Sequence, residues 1–478
     1  TVIAMKFFFT ILLSLVLGTA AASALALALA AGTLSSRLTP AEASSETVLR
    51  LSGAMDASDF YFIDKHMPSL AVLDLSKVSI VGYKGEPING ISTFPADMIP
   101  PSALAGKQIT ELILPAAGSV SVGDFAFAST AISTLDLPES VKSVGMGAFS
   151  ACKSLVRVSG KGAGIGDFAF SACTSLAEVS LGGVTSLGAS AFDGCSSLSG
   201  VGGCGELTEI GNRAFAGTQA LKEFTFSEKL RSIGSEAFLA SAIETVRLAE
   251  CVALRSIGDW AFACNGSLIT ATVPENVSAI GNGVFFACPA LVSLSLPVSL
   301  AEIGDYALKG TSLTELVLPS STAYIGSHAM HGMESLSAID ARSLDDVPAL
   351  GSDVWEGVDP SAVVLSVKSN MADSFRSAGQ WQDFDIRGVQ TDSATPTVMT
   401  STGVQGRFSG SDLLLRSSGQ DMSLVEIYDA AGSLLLRQNV SGNNAVVNTS
   451  GIQAPLMLVR CLLADGAVAT IKIIRTNG

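Results

Sequence analysis

Three histidines and eight cysteines are the side chains best suited to chemistry in this 478-residue chain, and their spacing sets what each can do. His328 and His331 stand three apart, a spacing that presents two imidazoles to one metal ion. No third ligand stands near them at a sensible spacing, so surface or filler roles are expected, with no metal and no cofactor. A Ser-His-Asp triad would have to use His66, His328 or His331, and no G-x-S-x-G elbow accompanies them. Paired glycosidase carboxylates need a cleft with aromatic walls, which these residues do not announce. The Gly-rich stretch 160–166 lies inside a repeat, not between a strand and a long helix, so it is no phosphate loop. A protein without catalytic residues is expected.

The cysteines follow a column. Cys152, Cys173, Cys195 and Cys288 lie seven residues after a recurring glycine and Cys264 six after its own; other copies hold Thr130, Thr218, Ser241 or Thr311 there. A position shared by Cys, Thr and Ser is small, inward and packed, so buried thiols are expected instead of disulfides. No C-x-x-C zinc pattern occurs, and the pairing of Cys204, Cys251 and Cys461 is open.

These residues are positioned by internal repetition. The phrase I-G-x-x-A-F recurs ten times, with glycines at Gly123, Gly145, Gly166, Gly188, Gly211, Gly234, Gly258, Gly281, Gly304 and Gly326. Steps of 21 to 24 residues are those of a leucine-rich repeat. Worn copies flank the array at 101–104 and at Leu350-Gly351. Four residues after each glycine stands Phe127, Phe149, Phe170, Phe192, Phe215, Phe238, Phe262 or Phe285, then Leu308, Met330 and Trp355. One such side chain per coil predicts a stacked spine. The preceding Ala (Ala126, Ala148, Ala169) is read as small because the chain turns tightly. Asp, Asn or Ser follows the glycine in eight of ten copies, as at Asp124, Asn212 and Ser235, and is read as the N-cap of a short helical turn. The capping duty is preferred to calcium for Asp124, Asp167, Asp259 and Asp305.

Each coil then offers a period-two run such as 291–297 or 313–319, predicting one parallel strand per coil along a single face. The fold class is therefore an α/β repeat solenoid, a parallel strand plus a short helical turn per coil. Repeat proteins bind on such extended faces. Its outward residues, the candidate binding face, are Glu111 and Ile113, Thr134 and Asp136, Arg157 and Ser159, Glu178 and Ser180, Glu223 and Thr225, Thr245 and Arg247, Thr270 and Thr272, Ser293 and Ser295, and Glu315 and Val317. These are hydroxyls and scattered charges, with almost no rings.

Caps are expected at both ends: strand-like 49–53 and 73–76 around a helical 57–70 in front, and a strand at 363–367 with an amphipathic helix over 370–381 behind. The I-G-x-x-A-F copies, the L-x-L-S-G opening at 49–53 and the close Trp381-Gln382-Asp383-Phe384 resemble the BspA-like leucine-rich-repeat family over 47–387. That resemblance implies bacterial surface proteins, often adhesins for host matrix proteins or other microbes.

The ends read as targeting segments. Met5-Lys6 precedes an apolar run from Phe7 to Gly18, followed by small residues with Ala22-Ser23-Ala24 or Ala28-Leu29-Ala30 as cleavage sites. A retained signal-anchor is the alternative, since the apolar run continues to Gly32. Near the other end, 390–406 is a Ser/Thr/Gly-rich linker, and five strand-like runs follow at 413–416, 424–428, 434–438, 456–463 and 468–475, predicting a small all-β sandwich. Val425-Glu426-Ile427-Tyr428-Asp429-Ala430-Ala431-Gly432, Asn448-Thr449-Ser450-Gly451 and the ending 471–475 are similar to the type IX secretion sorting domain, although 455–458 replaces its Gly-x-Tyr phrase. The similarity implies passage through an export machinery and anchoring outside an outer membrane. The expected organisation is a leader 1–32, a cap 33–98, the solenoid 99–357, a second cap 358–388, a linker 389–406 and the sorting domain 407–478.

Composition agrees with a binding role. Hydrophobic residues make up 48% of the chain, aromatics 6%, and the net charge is −15. That balance excludes nucleic acid and disfavours docking on anionic lipid, leaving a membrane only as an anchoring surface. A secreted or surface-displayed, adhesin-like protein with a host or microbial protein ligand is expected; a structural or self-associating envelope component is the alternative.

Overall fold

The computed structural model describes residues 24–389 and, in the tail, 404–409, 412–417, 421–429, 433–452, 456–464 and 468–474. The apolar run of the expected leader, up to residue 23, and the linker stretch 390–403 lie outside the described residues.

Two compact units divide the chain at 389/390. The first is a parallel-strand solenoid, opened by β1 (Leu25–Leu29), α1 (Leu34–Arg37), α2 (Pro40–Ser45), β2 (Val48–Met55), α3 (Ala57–His66) and β3 (Val72–Ile80). β1 pairs in parallel with β2, and β2 with β3, which in turn pairs with Glu111–Ile113. Residues 25–32, read from the sequence as the end of the leader, thus form the first strand and its exit. Their anchor is Asp59, a buried carboxylate that accepts the backbone N–H groups of Gly32 (2.8 Å), Leu34 (2.9 Å) and Asp56 (3.1 Å). Burial pushes that carboxyl up, against the pull of these donors.

Each regular coil carries two short strands, not one. The expected strands form parallel ladders at 134–137, 157–161, 178–182 and 200–202, again at 245–247, 270–272 and 293–295, and again from 315–317 to 385–389. The second set lies just before each glycine: an eight-stranded ladder from Met98–Ile99 to Ser256–Ile257, then four strands from Ala279–Ile280 to Ala349–Leu350. Its signal was the Ile, Val or Leu in front of every glycine. Strands of two residues are too short to show alternation.

The turn after the glycine is not a helix. Its backbone bonds to the next coil, Phe125 N to Met146 O (2.8 Å), Phe127 N to Ala148 O (2.8 Å) and Ser129 N to Ser150 O (2.7 Å). The residue two after the glycine takes a left-handed φ, as at Phe125 (55°), Phe168 (56°) and Trp260 (60°), so this residue and not the buried Ala makes the tight bend. The Asp, Asn or Ser after the glycine also looks across the coils. Asp124 Oδ1 accepts from Met146 N (2.8 Å), Asp167 Oδ1 from Ala189 N (2.7 Å), Asn212 Oδ1 from Ser235 N (2.9 Å) and Asp305 Oδ1 from Ser327 N (2.7 Å). The side chain satisfies an orphan donor as an N-cap would, but the donor belongs to its neighbour.

The glycine exists because successive coils nearly touch there. A Cβ on Gly188 would stand 2.4 Å from the backbone carbon of Gly166, and one on Gly234 2.5 Å from Asn212 N. Below it, the Phe127 to Phe285 rings are buried and stacked, with centroids 5.2 to 5.9 Å apart and planes within 14° of parallel. This offset stack is the expected spine, and loss of one such ring costs about 3–5 kcal/mol. At the far end Trp355, Phe375, Trp381 and Phe384 plug the stack. The helix there covers only Ala372–Arg376, and Gln380 caps the last coil by donating to Gly351 O (2.8 Å) and accepting from Val354 N (2.9 Å).

The second unit holds two antiparallel sheets. One joins Val404–Ser409, Asp412–Ser417 and Asn444–Asn448; the other orders Leu434–Asn439, Met422–Tyr428, Leu456–Leu463 and Val468–Ile474. Leu413, Leu415 and Val447 share a core with Val425, Ile427, Val459 and Ile471, so the unit is a sandwich. Two strands were not foreseen, 444–448 and 404–409, the latter beginning inside the stretch read as linker.

Candidate binding surfaces

The strand face exposes the residues expected of it, but in broken ladders. Thr134, Arg157 and Glu178 stand in register, as do Asp136, Ser159 and Ser180. Arg157 pairs with Glu178, and Ser159 Oγ donates to Asp136 Oδ1 (2.8 Å), so the polar groups here largely satisfy one another. Thr245, Thr270 and Ser293 form a second ladder, with Arg247 beside Thr272. Glu315 belongs to a third and Glu111 to the opening sheet. Glu223 is exposed but lies in no strand; beside it Phe224 and Phe226 face the Phe215, Phe238 and Phe262 rings edge-on or tilted.

Above the stacked glycines runs an open groove of about 570 Å³, lined by Gly166, Gly188, Gly211 and Gly234 with Asp167, Glu209 and Asn212. It offers backbone and small polar groups, and no ring.

The rings are gathered on a third surface, the turn edge. Residues two and five after the glycine lie there on neighbouring coils, most of them at least partly exposed, while Ser190, Ala216 and Ala263 are buried. Arg213 bridges Asp193 (3.1 Å) and Glu236 across three coils. Next come Trp260, Phe286 and Tyr306: Trp260 meets Phe286 edge-on at 5.2 Å and lies 6.4 Å from Tyr306, with Lys309 Nζ 5.5 Å over the Tyr306 ring. The intervening position is Gly283, where a Cβ would stand 2.2 Å from the Trp260 ring. Beyond Tyr306 the His328 ring stacks at 5.1 Å, followed by His331 and Glu356. Sequence reasoning missed this edge because its members lie 20 to 26 residues apart; counting positions from the glycine would have aligned them.

The cysteine column is as expected at Cys152, Cys173, Cys195 and Cys288, which are buried and donate to Phe127 O, Phe149 O, Phe170 O and Phe262 O. Burial pushes Cys195 and Cys288 up to about 12. Cys264 departs from the expectation. It is exposed, and Asn265 takes the inward place. Cys204, Cys251 and Cys461 are buried free thiols, each pushed by desolvation up to about 11.

Six copies of a model described as the BspA type leucine rich repeat region match residues 97–222 and 208–337, together half of the chain. The chain belongs to that family. No curated protein matches it. Among solved structures, this BspA-type chain is similar to a leucine-rich repeat protein from Bacteroides ovatus, at 22% identity over 49% of this chain with a TM-score of 0.35. It spans 63% of that protein's length. A leucine-rich cell surface protein from Faecalibacterium prausnitzii matches at 19% identity, 54% of this chain and 92% of that one, with a TM-score of 0.24. The pneumococcal vaccine antigen PcpA matches at 16%, 77% and 84%, with 0.31. Among the described residues of the BspA-type chain, no helix is long and apolar enough to cross a membrane.

Proposed function

We propose that this BspA-type protein is exported, displayed at the cell surface and binds host or microbial proteins without catalysing a reaction. The observation that carries the reading is the turn edge. Trp260, Phe286 and Tyr306, partly exposed and held by ring contacts across coils with Lys309 against them, supply the rigid aromatic and cationic anchors that protein interfaces concentrate. The strand face, from Glu111 to Glu315, adds hydroxyls and charge alongside as a polar, weakly selective surface. Export rests on the leader-like 5–24 and on the tail's similarity to the sorting domain, which would engage the secretion machinery and leave the solenoid outside the outer membrane.

The test is saturable binding of the purified chain to immobilised host matrix proteins and to whole partner cells. The expected result is binding that Trp260→Ala and Tyr306→Ala each weaken by about tenfold or more, the cost of losing an anchor. A chain that binds nothing, or that only self-assembles as concentration rises in light scattering, overturns the reading in favour of an envelope component.

A further inference from the structure

The sequence lacked a third ligand for His328 and His331; the solenoid supplies it from the next coil. His331 and Glu356 each lie five residues after a glycine, Gly326 and Gly351, so coil stacking sets them side by side. Glu356 Oε2 lies 2.8 Å from His331 Nδ1 and 3.3 Å from His328 Nδ1, and the three donor atoms all fall within 4.8 Å of one another. Both Nδ1 atoms are shielded from solvent, and neither makes a hydrogen bond of good geometry despite the nearby carboxylate. Two buried imidazole nitrogens converging on one carboxylate oxygen, without a properly aligned N–H between them, are arranged to share a cation.

We infer that His328 Nδ1, His331 Nδ1 and the Glu356 carboxylate form a site for a divalent transition-metal ion of the zinc class. Two imidazoles and one carboxylate suit that class better than calcium or magnesium, which take oxygen ligands. Tetrahedral ligands at zinc distances stand about 3.3 Å apart, which small side-chain rotations reach from here. The Tyr306 ring, stacked 5.1 Å from His328, walls one side. Glu356 is more than half exposed, so the remaining coordination position opens to water or to an acidic group from outside. The site does not depend on the binding role proposed above.

The test is equilibrium dialysis and calorimetry of the full chain with Zn²⁺, and visible spectroscopy with Co²⁺. The expected result is one ion per chain with a Co²⁺ spectrum free of thiolate charge transfer. Affinity should fall more than about 100-fold in both His331→Ala and Glu356→Gln, beyond the 10–100-fold loss typical of a supporting contact. It should be unchanged in Cys264→Ser. Glu356 is exposed, so Glu356→Gln reports on ligation even if the histidine variant is destabilised. Absence of saturable uptake, a thiolate band, or undiminished affinity in Glu356→Gln overturns the assignment.

Discussion

Asn265 Nδ2 donates to the carbonyl oxygens of Phe238 (2.9 Å) and Phe262 (2.8 Å), filling in one coil the place that Cys152, Cys173, Cys195 and Cys288 fill in theirs. Its Oδ1 accepts from Ser241 Oγ (2.6 Å), the corresponding residue one coil earlier. Phe238 O keeps Ser241 N and Phe262 O keeps Cys288 Sγ, so Asn265→Ala should chiefly strip the Ser241 hydroxyl of its acceptor and cost about 1–3 kcal/mol. Asn265→Cys, which restores the column's usual residue, should cost less. Urea unfolding of both variants checks the order, and equal losses would show that the column only fills space.

The glycine column should tolerate no side chain. In Gly234→Ala the new Cβ would stand 2.5 Å from Asn212 N, so the coils must part. The loss should exceed the ordinary 0.5–3 kcal/mol of a point substitution, at about 4 kcal/mol or more. Gly205, with open space around it, should accept Ala within about 0.5 kcal/mol. Thermal melting of the pair separates coil spacing from a general intolerance to lost glycine.

Alkaline pH should weaken the solenoid. The folded thiols of Cys195 and Cys288 hold their protons up to about 12, while in the unfolded chain they release them near the ordinary value of about 9. Between those limits the native state binds more protons than the unfolded one, so stability is full below pH 9 and declines as pH rises toward 12. A Cys195→Ser, Cys288→Ser double variant should show a flatter decline. At pH 7.5 alkylation of the native protein should reach Cys264 first, and modification of the buried column before unfolding would contradict the packing.

Cleavage of the proposed leader is expected after Ala24. Cleavage there leaves Leu25–Leu29 to pair with Leu49–Gly53, whereas cleavage after Ala30 removes that strand and uncovers the buried Leu49 and Leu51. Mass spectrometry of the mature N-terminus should find Leu25. A start at Ala31 would mean the first strand is dispensable, with Leu49–Gly53 as the edge.

The sequence by itself determined the solenoid, the Phe spine and the thiol column, because each is a single residue type returning once per coil, and a period of 21 to 24 residues is legible without coordinates. It also marked the strand face, since period-two alternation survives in runs of three to five residues. Tertiary structure decided whatever depends on which atom of the next coil lies opposite. Asp124 reads locally as a cap, yet its acceptor serves Met146, 22 residues on. Cys264 sits one residue short of its column, and only packing shows that Asn265 goes inward instead. His328 and His331 lacked a third ligand until stacking set Glu356 against them, 25 residues beyond His331. In each case the deciding contact runs along the solenoid axis, at right angles to the chain, where sequence separation carries no measure of distance.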